Sequence, residues 1–349
     1  MEHQPMARAL VGCLIGQAVG DALGLPYEGL SPERARRLFG PFSTHQFLFQ
    51  RGMASDDTEH AYMVARALLE SGGEPAVFGH NLARQLRWWL VGLPAGIGRA
   101  TLYGCLRLWL GISPAESGVR SAGNGPAMRA PLTGVLYGDQ PERLLELVRI
   151  STRLTHRDDL AEQGALLIAL AAGSAARRRD FFNATRHYEP TLHEDWKRVL
   201  KDLKASLLAR ESTRIYARKM GLQQGVSGYI LHTVPVALHA WLAERDYQSA
   251  VRAVVECGGD TDTTAAIAGA LAGAAHGTGN IPIDWLDRYA DWPLTLARLQ
   301  QTAEALARLQ QGAPPEPPPP IRFYQTLPRN LLFLLIVLLH GLRRLLPPY

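Results

Sequence analysis

Cysteine is scarce in this chain of 349 residues. Only Cys13, Cys105 and Cys257 occur, far apart and in apolar or glycine-rich surroundings. An odd, sparse count excludes a disulfide framework, and with no CxxC pair a structural zinc site is excluded too; a reducing compartment is the natural home. Strand signals are equally scarce. No basic run interleaved with aromatics marks a nucleic-acid groove, and the net charge of +5 reads as a solvated surface. The 11 histidines show no His-Asp spacing of the kind a metal-dependent phosphohydrolase would use. At the N-terminus, Arg8 and the apolar run Ala9 to Ile15 imitate a signal peptide. The run is short, is interrupted by Gly12, Gly16 and Gln17, and leads into Gly20-Asp21-Ala22-Leu23-Gly24. It reads as the first buried helix.

What is present is helical periodicity. Ala61, Val64, Ala65 and Leu68 share one face after Asp57, as do Leu144, Leu145 and Val148 after Pro141-Glu142. Gly164 to Ala172 and Ala265 to Ala275 are apolar nearly all round, the pattern of helices at the centre of a protein. In the second, Gly269 and Gly273 stand four apart and permit close helix contact. Lys197 to Lys219 is more polar, helical and peripheral. The expectation is an all-α domain over residues 5–312. A proline-rich linker (313–329, with an extended spacer at 314–320) and an apolar, arginine-containing tail helix (330–349) follow. The uninterrupted apolar stretch Leu331 to Leu339 falls short of the roughly 20 residues of a membrane span. An interfacial helix over 330–346, with Arg343 and Arg344 at the headgroups, fits better than a span. Docking onto the domain or onto a partner is the other reading.

Two acidic clusters carry the chemistry. Ser55-Asp56-Asp57-Thr58-Glu59 precedes one amphipathic helix, and helix capping explains one such residue. It does not explain two adjacent aspartates, which repel each other unless a cation or protons intervene. Gly258-Gly259-Asp260-Thr261-Asp262-Thr263-Thr264 opens the most hydrophobic helix of the domain, where two unpaired carboxylates would be costly to bury. Carboxylates and hydroxyls without cysteine favour Mg²⁺, Mn²⁺ or Ca²⁺ over zinc. Two such clusters, each opening a helix, are what a two-ion site built from distant segments looks like. Gly123-Asn124-Gly125 through Met128-Arg129 is a glycine-rich loop able to present N–H groups to phosphate or ribose oxygens. Thr155-His156-Arg157-Asp158-Asp159 caps a further buried helix that begins near Ala161.

These motifs, in this order, resemble the ADP-ribosylglycohydrolase family, and the likeness runs over about residues 8–280. It implies a compact orthogonal multi-helix bundle around two divalent ions, Mg²⁺ or Mn²⁺. It implies metal ligands Ser55, Asp56, Asp57, Asp260, Asp262 and Thr263, with Asp262 bridging. Ser121, Gly123, Asn124, Gly125 and His156 would line the phosphates and distal ribose. Glu28 matches a mobile-loop glutamate, and either Glu28 or Asp57 would position water beside Asp262. The implied activity is hydrolysis of the glycosidic bond between ADP-ribose and an acceptor, either protein arginine or another group. Hydrolysis of free conjugates such as O-acetyl-ADP-ribose, or a non-catalytic ADP-ribose-binding scaffold, are the alternatives on the same fold. The expected location is cytoplasmic, with peripheral membrane contact through the tail. The family pattern does not include that tail.

Overall fold

The computed structural model describes residues 3–314, 316–345 and 347. Among them the protein is all-α: 18 α-helices, a few short 3₁₀ turns and isolated bridges in place of sheet.

The centre is a pair of helices, His3–Gly24 and Thr261–His276. Glycines at 12, 16, 20 and 24 recur every fourth residue, which strips one edge of the first helix of side chains. Facing it, Gly269 and Gly273 do the same on the second. A methyl group at Gly12 or Gly16 would collide with the carbonyl oxygens of Gly273 or Gly269, and the reverse holds from the other side. Backbone therefore lies against backbone, and the segment that imitated a signal peptide is a core helix. Around this pair pack Asp159–Arg177, buried nearly throughout from Gly164 to Ala175, and Leu296–Gln310. Asp56–Ser71 buries Ala61, Val64, Ala65 and Leu68 as its periodicity predicts, and Pro141–Arg153 buries Leu144 and Val148, with Leu147 rather than the half-buried Leu145 completing the inner face.

Two expectations change. The polar stretch 197–219 is two helices, Glu194–Leu208 and Thr213–Lys219. Arg210 takes a positive φ of 53° and Ser212 caps the second helix, so the first cannot continue. The C-terminal helix begins at Phe323, not 330, and runs to Arg343. The Gln325 side chain accepts the Arg322 N–H at 2.9 Å, which fixes the early start. The proline spacer carries no regular structure at its described residues, while Pro315 and, in the tail, Leu346, Pro348 and Tyr349 lie outside them.

The tail helix does not project from the domain. Arg329 is 5% exposed and donates to Asp291 (2.6 and 3.0 Å), Glu59 (3.0 Å) and the Ala54 carbonyl (2.6 Å). Asn330 donates to the Gly92 carbonyl at 2.7 Å. Farther along, the His340 ring contacts Phe39 and Phe47, and its Nε2 meets the Pro26 carbonyl at 2.8 Å.

Candidate active site

Asp21 organises the first cluster. Completely buried on the N-terminal helix, it accepts the Ser55 N–H (2.9 Å), the Thr58 N–H (3.1 Å) and the Thr58 hydroxyl (2.6 Å). These bonds orient the start of the Asp56–Ser71 helix, whose N-cap is Ser55. Of the acidic and hydroxyl residues in the cluster it is Ser55 that caps the helix, and its hydroxyl also donates to Asp57 Oδ2 at 3.2 Å. Asp56 is half-buried and Asp57 is 1% exposed.

The second cluster meets the first directly. Thr263 donates its hydroxyl to Asp57 Oδ2 at 3.1 Å, across 206 residues of sequence. Asp260 accepts the Asn124 amide at 2.6 Å, which brings the glycine-rich loop to the same place. Glu28 arrives through its own loop: the Gly29 N–H donates to the Gly259 carbonyl at 2.7 Å and the Gly259 N–H to that of Leu30 at 2.8 Å. Its carboxylate is close enough to Asp260 and Asp262 for each to repel it, while Arg344 of the tail opposes that repulsion. The acids predicted from the sequence therefore form one cluster.

Its electrostatics are those of buried acids crowded together. Burial, then the neighbouring acids, push Asp57 and Asp262 far above the ordinary carboxylate range. Burial raises Asp21 to about 7 despite its hydrogen bonds. Oδ1 of Asp57 and Oδ1 of Asp262 are buried without a hydrogen-bond partner among the described residues, the condition that a coordinated ion relieves. Among the described residues no three His, Cys, Asp or Glu side chains already stand in coordinating positions. Ser55 and Thr263, however, add hydroxyl oxygens to the donor set. An all-oxygen set of this kind could hold hard divalent ions.

The glycine loop has a floor. A Cβ at Gly123 would stand 2.9 Å from His156 Nε2, and one at Gly125 would stand 3.0 Å from His156 Cε1. The ring thus lies directly under both glycines, 3% exposed, with Nδ1 on the Thr155 hydroxyl at 2.8 Å. Burial and the nearby Arg129 cation hold its pKa down to about 3, so the imidazole is neutral. Ser121 accepts the Gly123 N–H at 3.3 Å, and the Asn124 N–H goes to the Gly228 carbonyl at 2.9 Å. The amides at 123 and 124 are therefore engaged within the protein. Ser121 and His156 shape the loop without bonding to the acids.

Sequence reasoning missed two parts of the site. Gly225–Tyr229 forms a wall: the Val226 N–H donates to the Gly258 carbonyl at 2.9 Å, the Asp260 N–H donates to the Val226 carbonyl at 2.7 Å, and a Cβ at Gly228 would stand 3.3 Å from Asp260 Oδ2. The paired glycines around Ser227 were the available signal. The other is Glu59, which reads as a capping acid and is instead buried against Trp89 Nε1 (2.6 Å) and Arg329.

The site is thus set in an all-α bundle, where two aspartate clusters from distant helices and a glycine loop meet at one point. The chain belongs to the ADP-ribosylglycohydrolase family, whose model matches residues 2–316. Members are enzymes that cleave ADP-ribose glycosidic linkages, and this chain is such a hydrolase. It is 33% identical over 292 residues to an uncharacterized protein of Archaeoglobus fulgidus, covering 80% of this chain and 90% of the other. It is 26% identical over 289 residues to the ADP-ribosyl-[dinitrogen reductase] glycohydrolase of Rhodospirillum rubrum, again covering 80% and 90%. Among solved structures, an ADP-ribosylglycohydrolase-related protein complex superposes with a TM-score of 0.67 at 28% identity, covering 88% of this chain and 99% of that one.

Proposed function

We propose that the protein removes ADP-ribose from a modified protein side chain, arginine foremost, using two divalent ions, Mg²⁺ or Mn²⁺. Ser55, Asp56, Asp57, Asp260, Asp262 and Thr263 would hold them. The observation that carries this reading is the Thr263–Asp57 bond at 3.1 Å. It joins two acidic clusters whose inner oxygens lack partners. Bound there, the ions would anchor ribose hydroxyls and lower the pKa of a water.

The chain supplies the rest. As the acceptor leaves, positive charge grows at the anomeric carbon, and the carboxylates of Asp57, Asp262 and Glu28 lie on hand to stabilise it. Asn124, fixed by Asp260 and by Thr233 at 2.9 Å, ties the glycine loop to the ribose end of the cleft. Glu28 stands exposed at the rim, where it can reach a water or an incoming guanidinium. That rim acidity is why arginine is the favoured acceptor. Three buried free thiols suit a reducing cytoplasm.

The test is hydrolysis of arginine- and serine-linked ADP-ribosyl peptides with Mg²⁺ or Mn²⁺ and then with chelator, alongside calorimetric ion titration. Asp262→Asn is expected to abolish ion binding and turnover together. Survival of activity in that variant would remove the two-ion reading.

A further inference from the structure

The tail helix Phe323–Arg343 lies beyond the family match, and nothing in the hydrolase reading uses its outer face. Along the helix only Arg329, Asn330 and Phe333 are buried. Leu331, Leu335, Leu338 and Leu342 follow helical spacing on that face, each more than half exposed. The apolar surface extends past the helix. Phe49 is 87% exposed and Trp292 48%, and both line a shallow groove with Leu332 and Ile336. Phe323 and Tyr324 add exposed aromatic rings at the start of the helix. Apolar side chains exposed in this number mark a contact site.

Its charge says what it contacts. From Ile321 to Tyr349 the chain has four arginines and no aspartate or glutamate. Arg329 is consumed by its buried ion pairs, and Arg344 by the carbonyls of Glu28 (2.7 Å) and Pro26 (2.6 Å). Arg322 and Arg343 are exposed, one at each end of the leucine face. Leucine between terminal arginines, with aromatic rings at the margin, is the composition of a helix lying in the interface of an anionic bilayer.

Spanning is a different matter. To cross a membrane the helix would have to release Arg329 from Glu59 and Asp291, leaving two buried carboxylates without a cation. The helix is pinned instead along about 30 Å of the domain, the length of its 21 residues. We infer that the outer leucine face of the tail helix, with Phe49 and Trp292, is a monotopic seat for an anionic lipid surface. Because His340 and Arg344 hold the loop that carries Glu28, the seat lies beside the mouth of the acidic cleft. The enzyme would then meet its substrates at a membrane face. The inference stands apart from the identity of the substrate and is tested without activity.

The experiment is co-sedimentation of the full chain with vesicles of phosphatidylcholine alone and of phosphatidylcholine with phosphatidylglycerol. The wild type is expected to sediment with the anionic vesicles and to be partly released by salt. Leu335→Glu with Leu338→Glu is expected to stay in solution with an unchanged melting temperature. Should that pair misfold, Arg322→Gln with Arg343→Gln is expected to weaken anionic-vesicle binding by about tenfold or more. The inference is overturned if the wild type ignores anionic vesicles, or if folded variants of either pair bind as well as the wild type. It is also overturned by light scattering that shows the leucine face instead holding two copies together without lipid binding.

Discussion

Asp21 shows how much of the site depends on a residue that need never touch substrate. Its carboxylate gathers two backbone donors and one hydroxyl from Ser55 and Thr58, and these fix where Asp56 and Asp57 begin their helix. In the sequence, Asp21 is legible as a polar island inside an apolar helix, but its three partners lie more than 30 residues away. Asp21→Asn would turn an amide toward existing donors. The expected result is a loss of about 3 kcal/mol in denaturant unfolding, with weaker divalent-ion binding by calorimetry. A wild-type midpoint in that variant would make the bracket dispensable. Glu59 gives the opposite lesson. It sits in the same motif, looks like a further ligand or cap, and is claimed by Arg329, 270 residues on. Sequence spacing reports which acids share a helix start. It does not report which one a distant cation will neutralise.

At the scale of elements, the helices of the core were legible because packing imposes a period on sequence. Gly269 and Gly273 were visible as spacing, but Gly12 and Gly16 read only as breaks in an apolar run, and that the two glycine edges face each other was not legible. The tail was legible as apolar and basic, and its docking was hidden because one buried arginine decides it. Arg329→Ala leaves Glu59 and Asp291 buried together without their cation. A cost of about 3–5 kcal/mol is expected in unfolding experiments, although the residue lies outside the family match. Arg329 must therefore stay in any variant made to study the tail. Arg344 is the milder case. Its bonds go to the carbonyls of Pro26 and Glu28 and its charge opposes the acids of the cleft, so Arg344→Ala should tighten ion binding and lower kcat through the freer Glu28 loop. Unchanged kcat alongside unchanged ion affinity would remove the tail from the catalytic account.

For the whole molecule, the buried acids and histidines make stability depend on pH in separable ranges. Burial holds His239 at about 4 and His156 at about 3, both below the ordinary histidine value of 6.5. A histidine depressed in the folded state costs stability only as pH falls below the unfolded value, because the unfolded chain then takes the proton first. For His239 the cost reaches at most about 3 kcal/mol, and above pH 6.5 both rings are silent. The acids run the other way. Asp21 is raised to about 7, and Asp57 and Asp262 well above 3.8. Stability from a raised carboxyl is complete below its unfolded value and is lost as pH rises through the folded one. Between pH 6.5 and about pH 8 only the acids act, so the chelator-treated protein should melt at a lower temperature as pH rises. Saturating Mg²⁺ or Mn²⁺ should flatten that slope, because a bound cation favours the ionised carboxylates that protons otherwise neutralise. Melting temperatures measured across this range, with metal and with chelator, read the acidic centre directly. A chelator-treated protein that grows more stable with rising pH would mean that these carboxylates are not held together as the Thr263–Asp57 contact implies.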